Sequence, residues 1–244
     1  MIDESIRPEG GGKVFFPLFD PTIIILIPAF LFALWAQILV SSTFSKYSKI
    51  KSTTGYTGFE LARRLLESAG IYDVSIEYIS GRLTDHYDPR TKVVRLSSST
   101  YNDFSVASLG VVAHEIGHAI QHAQNYAPLV IRNAMAPVVT FGSNLAWILF
   151  LIGLIFFSPF LIKLGIIFFI LVVIFTLITL PVEIDASRRA LKLLRESILM
   201  PEEELRGVKK VLTAAAMTYV AAVATAIFQL LRMIFIASMF GDRE

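Results

Sequence analysis

The chain has 244 residues, 55% of them hydrophobic, and its formal net charge is only +2. This near-neutral charge excludes the strongly basic surface typical of nucleic-acid binding, so no nucleic-acid partner is predicted. The sequence contains no cysteine, which excludes disulfides and thiolate metal ligands, so any transition metal must be bound by His, Asp, Glu or water.

The N-terminal part of the chain contains a tail and a first membrane-spanning segment. Residues 1–20 mix acidic and basic side chains and have no basic region of the kind that opens a signal peptide. Residues 21–40 are apolar over a length that is sufficient to cross a bilayer as a helix. We therefore interpret residues 21–40 as a transmembrane helix that the protein retains.

The predicted soluble lobe covers residues 41–136 and combines helices with a small sheet. A helix is expected after Thr57, where the sequence TGFE fits a capping box. Alternating apolar and polar residues then predict strands on both sides of a turn at Asp88-Pro89. The segment TKVVRLSS could form either an edge strand, able to pair with an extended peptide, or an internal strand. Helical periodicity returns over residues 105–124.

Four further segments complete the predicted fold. Residues 137–157 and 160–182 are each long enough to span a bilayer, and a tight turn at Ser158-Pro159 is expected to join them. Residues 183–210 are typical of a polar helix that belongs to the lobe. Residues 211–240 would be about 45 Å long as one helix, so their alanine-rich start is expected to pack on the lobe. The predicted fold class is an α+β soluble lobe combined with about four transmembrane α-helices, mostly helical overall.

Lysine and arginine are unevenly distributed around the predicted spans. The lobe opens with Lys46, Lys49 and Lys51, and residues 183–210 contain seven basic side chains. By the positive-inside rule, both segments are predicted to face the cytoplasm, with both chain termini on the outside. The protein is therefore expected to be an integral membrane protein with a cytoplasmic lobe.

The segment VVAHEIGHAIQHA carries three of the four histidines of the chain. His114 and His118 lie about one helical turn apart, so both imidazoles can bind one tetrahedral zinc ion. Glu115 lies beside them, where it can accept a proton from a water that zinc has activated. This spacing is typical of zinc hydrolases, and a polar helix face is the alternative interpretation.

The third zinc ligand must come from another segment. His122 lies about 12 Å from His114 along a straight helix, so we interpret it as a helix-face residue or a partner of a ligand. Glu183 is the best candidate, because two spans return the chain to the side of the histidines, and Pro181 suits the first turn of a new helix. The alternatives are that Glu183 only stabilises this helix start, or that Asp185 is the ligand.

Two pairs of polar residues are further candidates for a function. His86 and Tyr87 could donate hydrogen bonds to a developing oxyanion, but the same segment is also typical of a plain turn, which is slightly favoured. Gln229 and Arg232 lie in the last apolar segment, where polar groups are often functional, although Arg232 could equally reach an interface. Nothing in the sequence predicts the oligomeric state.

Four longer segments carry a resemblance to a known family: LIPAFLFALWAQ, LTDHYDPRTKVVRLS, HEIGHAIQH and PVEIDASRRAL. Together and in this order they resemble the YugP-type neutral zinc metallopeptidases of prokaryotic membranes, from about Phe15 to the last span. The chain is also distantly similar to HtpX-type and CAAX-prenyl membrane peptidases, whose third ligand is the Glu of a Glu-x-x-Ala-Asp motif. Glu183 and Ala186 match that motif, whereas Ser187 stands where those relatives have Asp, so the partner of one zinc histidine is left unassigned.

The resemblance implies a zincin-like, gluzincin-type lobe that holds one Zn²⁺ per chain through His114, His118 and Glu183, with Glu115 as the catalytic base. It implies a membrane-embedded metalloendopeptidase of the prokaryotic cell membrane, whose partners are the lipid bilayer and a peptide or membrane-protein substrate. Two other functions stay open: an intramembrane protease of the site-2 type, and a zinc-bearing membrane scaffold or chaperone without catalysis. The resemblance does not identify the substrate.

Overall fold

The computed structural model describes residues 21–241 of the chain, which form a mostly helical protein with one small sheet. After a 3-10 turn at Pro21–Leu26, the helices are α1 (Ile27–Tyr47), α2 (Gly58–Ser68), α3 (Val106–Ala123), α4 (Ala127–Ile155), α5 (Pro159–Glu196) and α6 (Glu202–Gly241). The strands are β1 (Ser75–Ile79), β2 (His86–Asp88) and β3 (Val93–Ser97). These elements confirm the predicted fold class. The predicted tail, residues 1–20, lies outside the described residues.

Four helical segments are long and apolar enough to cross a membrane: Pro21–Tyr47, Ala127–Ile155, Pro159–Glu196 and Glu202–Met239. The second of them begins at Ala127, ten residues before the predicted span at 137–157. The early start has a local cause, because Pro128 lies in the first turn of α4, where its fixed φ favours a helix and its missing N–H is not needed. Pro137 lies inside this helix.

The expected helix start at Pro181 is absent, because α5 continues through Pro181 without a break. A proline inside a membrane helix is tolerated when neighbouring groups satisfy the freed backbone. The Thr179 hydroxyl donates to the Phe175 carbonyl at 2.8 Å, whereas the carbonyl that Pro181 leaves without a helical N–H partner is that of Leu177. The polar segment expected over 183–210 is divided between two helices, since α5 ends at Glu196 and α6 begins after Pro201.

The sheet has the order β1-β3-β2, with β1 parallel and β2 antiparallel to β3. β3 is therefore internal, which decides between the two interpretations of TKVVRLSS. The predicted capping box is confirmed: the Thr57 side chain accepts a hydrogen bond from the Glu60 amide, and the Glu60 carboxylate accepts one from the Thr57 amide.

Two apolar cores hold the fold together. The lobe core joins α2, the sheet and α3 to the C-terminal end of α5 and the N-terminal part of α6. Its buried members include Leu61, Leu65, Leu66, Val94, Leu96, Leu109, Val112, Ile116, Leu194, Leu205, Val208 and Leu212. The start of α6 thus packs on the lobe, as predicted. The span core joins α4, α5 and α6 through Ala146, Phe150, Ile162, Phe169, Val173, Ala226, Met233 and Ile236.

A close crossing of α3 and α5 positions the candidate site. A Cβ atom on Gly117 would lie 2.6 Å from the Ala186 carbonyl oxygen, so only glycine allows this approach. Gly117 belongs to the HEIGH segment, and Ala186 follows Glu183 by three residues. The crossing therefore places the predicted histidines directly beside the predicted carboxylate.

Candidate metal centre

The structure brings the three predicted metal ligands together. His114 and His118 project from one face of α3, and Glu183 projects from α5. The Glu183 Oε2 atom lies 3.2 Å from His114 Nε2 and 3.4 Å from His118 Nε2. One ligand atom from each of the three residues lies within 4.8 Å of the others, which suits binding of a single ion. Glu183 is buried, and a cavity of about 180 Å³ opens at this cluster.

In both His114 and His118, the hydrogen-bond partner lies at Nδ1, which leaves Nε2 available to bind a metal. Gln121 is buried, its Oε1 lies 3.0 Å from His118 Nδ1, and its Nε2 donates to Asp185 Oδ2 at 2.7 Å. The amide nitrogen of Gln121 is therefore engaged, and its oxygen accepts the proton carried by His118 Nδ1. The Ser187 hydroxyl lies 3.2 Å from His114 Nδ1, so Ser187 occupies the place that the sequence comparison left unassigned.

The donor set fits a zinc ion. Two imidazole nitrogens and one carboxylate oxygen facing an open cavity are the ligands that catalytic zinc prefers. Lone pairs that face each other at these distances repel unless a proton or a metal cation lies between them. Burial alone would lower the pKa of His118, but its bond to Glu183 and the charges of Glu115 and Glu183 raise that pKa overall. The cluster therefore attracts positive charge.

Asp185, the competing ligand candidate, faces a different set of partners. Its Oδ2 accepts hydrogen bonds from Gln121 Nε2 at 2.7 Å and from Arg189 Nε at 2.5 Å. Asp185 is absent from the cluster of groups able to share an ion in the described part of the chain. It acts on the site through Gln121, which fixes the orientation of His118.

Glu115, the predicted base, is buried at the edge of the same cavity. Its Oε2 accepts a hydrogen bond from the Tyr87 amide at 2.9 Å. The Tyr87 amide therefore points away from β3, because β3 pairs along the opposite edge of β2. The sheet thus holds the Glu115 carboxylate beside the two histidines.

His86 and Tyr87 both line the cavity, but the His86 Nδ1 atom and the Tyr87 hydroxyl each already have a partner. The His86 Nδ1 lies 2.9 Å from the Thr84 carbonyl and must donate to it, so His86 Nε2 can donate only when the ring is protonated. The Tyr87 hydroxyl lies 2.7 Å from His122 Nδ1. Burial, together with the charges of Asp73 and Asp88, raises the pKa of Tyr87 to about 12, so this hydroxyl keeps its proton at neutral pH.

The two aspartates next to His86 and Tyr87, Asp85 and Asp88, accept backbone hydrogen bonds as expected for a turn. The Asp85 carboxylate accepts a hydrogen bond from the Ser97 amide at 2.7 Å, and Asp88 accepts one from the Arg90 amide at 2.9 Å. His122 bonds to Tyr87 and lies outside the ligand cluster. It is therefore a partner of Tyr87 in β2 and not of the ligand cluster.

Two cavity residues were not predicted from the sequence. Arg132, on α4, donates from Nη1 to Glu183 Oε1 at 3.0 Å and so holds the carboxylate oxygen that faces away from the histidines. Tyr219, on α6, also lines the cavity. Neither lies in a recognisable motif, and the only available signal was that Arg132 is a cation close to an apolar span. Of the predicted intramembrane polar pair, Arg232 donates to the Thr22 hydroxyl at 3.0 Å, and neither Gln229 nor Arg232 lines the cavity.

Comparisons with known proteins agree with this geometry. The family described as "Putative neutral zinc metallopeptidase" matches residues 22–238. A protein of Bacillus subtilis (strain 168) named "Putative membrane protease YugP" is 48% identical over 214 residues, which cover 88% of this chain and 95% of that protein. No solved structure matches the chain. With the family match and this relative both covering most of its length, the chain belongs to the neutral zinc metallopeptidase family of membrane proteins.

Proposed function

We propose that the protein is a zinc-dependent endopeptidase that hydrolyses peptide bonds of membrane or membrane-proximal proteins near the cytoplasmic face of the membrane. The observation that carries this proposal is the convergence of His114, His118 and Glu183 around one point, with the Glu115 carboxylate beside it. A histidine pair, a third carboxylate ligand and an adjacent carboxylate base are the groups that zinc peptidases use.

Each of these residues has its own role in the proposed hydrolysis of a peptide bond. His114, His118 and Glu183 would hold one zinc ion per chain, while Gln121 and Ser187 orient the imidazoles. Bound zinc would polarise the carbonyl of the scissile peptide and lower the pKa of a water molecule. Glu115 then accepts the proton of the attacking water and delivers it to the leaving nitrogen.

The carbonyl oxygen of the substrate needs a hydrogen-bond donor as its negative charge develops. His86 can supply that donor from Nε2 in its protonated form, because its Nδ1 already bonds to Thr84. Tyr87 can supply it only if its hydroxyl leaves His122. His86 therefore requires less rearrangement than Tyr87 to act as this donor.

The position of the cavity favours substrates at the membrane boundary over cleavage in mid-bilayer. The helix that carries both histidines, α3, is not among the four segments apolar enough to span a membrane. Glu183 lies in α5 after its most apolar stretch, five residues before Arg188 and six before Arg189. The cytoplasmic placement follows from the positive-inside rule, and protease protection of tagged lobes in sealed vesicles tests it.

Metal analysis of purified protein is the first test of the site. We expect one zinc per chain in the wild type and in Asp185→Asn, and loss of zinc in Glu183→Gln. The two substitutions are matched, because each replaces a carboxylate by its neutral amide and the residues are two positions apart on α5. Zinc retained in Glu183→Gln and lost in Asp185→Asn would contradict the proposed third ligand.

Activity of Glu115→Gln separates an enzyme from a zinc-bearing scaffold. With unfolded β-casein as a test substrate, this variant should lose at least a hundredfold in rate, because general-base catalysis contributes about 10²–10⁴-fold. It should keep its zinc, because Glu115 is not a proposed ligand. An equal rate in the variant and the wild type would exclude the proposed mechanism.

A further inference from the structure

A second cavity, of about 160 Å³, lies against the metal centre. Four residues line both cavities: Asp85, His114, Glu115 and Tyr219. The rest of its lining is apolar and comes from three helices and one loop, including Val40 and Phe44 of α1 and Leu212 and Ala215 of α6. A group held in the second cavity would thus reach the proposed reacting centre directly.

The helical spacing of the lining residues explains why one apolar wall meets the catalytic groups. On α3, Val111 and Glu115 are four residues apart and share a face. On α6, Ala215 and Tyr219 are likewise four residues apart, as are Val40 and Phe44 on α1. Each helix therefore contributes one stripe. The stripe of α3 includes His114 and Glu115, and that of α6 includes Tyr219, and all three also line the metal-centre cavity.

We propose that this second cavity, the apolar subsite, receives an aliphatic side chain of the substrate next to the bond that is cleaved. This inference rests on the proposed peptidase function. At about 30 Å³ per water molecule, the cavity corresponds to roughly five waters, which suits a Val, Leu, Ile or Met side chain and is small for Trp. Burial of such a side chain among apolar walls favours its binding over that of Gly.

Charge further restricts what the apolar subsite accepts. Asp85 and Glu115 lie at its border, so an acidic substrate side chain would meet two carboxylates. A basic side chain gains little from Asp85, because its carboxylate already accepts hydrogen bonds from the amide and hydroxyl of Ser97 and the hydroxyl of Thr100. Uncharged aliphatic side chains are therefore the class that fits.

Leu83 forms the outer border of the apolar subsite. Its backbone φ is +57°, in the left-handed region that residues other than Gly rarely adopt. Its side chain is 44% exposed although it lines the cavity, and the adjacent Arg82 lies over the ring of Phe44 at 5.7 Å. A strained, exposed leucine kept at a cavity entrance is consistent with contact to an incoming substrate.

The location of the subsite narrows the substrate class as well. Val40 and Phe44 lie near the end of the first membrane segment, and the exposed Lys46 follows two residues later. An aliphatic side chain that enters here belongs to a peptide segment lying at the boundary between the membrane and the lobe. The inferred substrate class is thus a membrane-proximal segment with an aliphatic residue beside the cleaved bond.

Peptide binding tests the subsite without relying on turnover. Zinc-loaded Glu115→Gln protein in lipid nanodiscs would be titrated with fluorescein-labelled Gly-Gly-Leu-Gly-Gly amide and with the same peptide carrying Gly, Asp or Trp at the central position. We expect the Leu peptide to bind roughly ten- to hundredfold more tightly than the Gly peptide. Equal affinities for Leu and Gly would overturn the subsite.

A second test fills the apolar subsite with a larger side chain and compares this variant with a matched control. Ala215→Phe, in the Glu115→Gln background, should abolish the preference for Leu by occupying the subsite. Ala222→Phe makes the same change on an exposed part of α6 outside the cavity lining, and should keep the preference. Leu83→Gly relieves the strained φ and is expected to fold, while reducing the preference several-fold. A preference that survives both Ala215→Phe and Leu83→Gly would place the binding of Leu elsewhere.

The same peptides distinguish failure of the subsite from failure of the proposed function. If wild-type protein binds the Leu peptide selectively but cleaves neither it nor β-casein, the peptidase proposal fails, and the cavity remains only as a binding site for aliphatic side chains. If β-casein is cleaved, and mass spectrometry of the products shows no enrichment of aliphatic residues next to the cleaved bonds, the subsite fails and the peptidase proposal stands.

Discussion

The lobe core and the span core differ in how many large side chains they bury completely, although a glycine also allows the close α3–α5 crossing at the lobe. In the lobe core, bulky side chains such as Leu61, Leu65 and Leu96 have no exposed surface. In the spans, the helices approach each other at glycines: a Cβ on Gly165 would lie 2.8 Å from the Ala146 carbonyl oxygen, and one on Gly153 would lie 2.7 Å from the Ile162 amide nitrogen. Water drives burial of large apolar groups in the lobe, whereas helices in lipid gain mainly from close contact.

The candidate metal centre lies where the lobe core and the span core are connected. Two long helices, α5 and α6, pass from one core to the other and contribute residues to both. Glu183 lies on α5 between Val173, in the span core, and Ala190, in the lobe core. The position of Glu183 relative to the histidines therefore depends on both kinds of packing, and either can be perturbed separately.

The largest expected effect is the loss of a bulky side chain from the lobe core. Leu65→Ala should lower the free energy of unfolding by about 2–5 kcal/mol, because it removes buried methyl groups and leaves a cavity. Leu151→Ala, on the exposed surface of α4, should change it by less than about 0.5 kcal/mol. Urea titrations in detergent micelles measure both. Equal losses for the two variants would mean that Leu65 contributes no more to stability than a side chain on the exposed surface.

Enlarging a glycine in the spans should have the next largest effect. Gly165→Ala introduces a Cβ 2.8 Å from backbone atoms of Ala146 and Phe150, which the helices can accommodate only by separating. We expect a loss of about 1–3 kcal/mol. Gly142→Ala is the matched control in the same hairpin, because its Cβ would lie an ordinary 3.4 Å from Phe168. That control should be neutral or slightly stabilising.

A smaller effect, confined to the metal centre, is expected from the partner of His118. Gln121→Leu removes the acceptor for His118 Nδ1 and should weaken zinc binding about 10–100-fold. Gln124→Leu changes a glutamine of the same helix that bonds to Arg189 at the surface, and should leave zinc affinity unchanged. Competition with a chromophoric chelator measures both constants. Similar values for the two variants would exclude an orienting role for Gln121.

The site was predictable from the sequence to the extent that it depends on local helix geometry. His114, Glu115 and His118 share a face of α3 because of their spacing, and that spacing is visible in the sequence. Gln121 follows His118 by three residues, so the same rule could have identified it as a neighbour. Arg132 could not be identified in this way, because its contact with Glu183 depends on how α4 crosses α5.

The sequence was a weaker guide where local rules conflict with packing. Pro181 fits a helix start by local preference, but α5 passes through it because both of its ends are fixed in separate cores. The internal position of β3 was likewise undetermined, since strand order depends on long-range pairing with β1 and β2. Individual elements were therefore predicted better than the contacts between them.

The smallest expected effect concerns Ser187, the position at which this chain departs from the Glu-x-x-Ala-Asp motif. Its hydroxyl lies 3.2 Å from His114 Nδ1, and a neutral hydrogen bond contributes about 0.5–1.5 kcal/mol. Ser187→Ala should therefore weaken zinc binding only about two- to tenfold. Ser187→Asp should instead strengthen it, because a carboxylate makes the imidazole a better ligand. Chelator competition on both variants measures the sign as well as the size of the change in zinc affinity. Weaker binding in Ser187→Asp would show that His114 is not held here as the Glu-x-x-Ala-Asp motif would hold it.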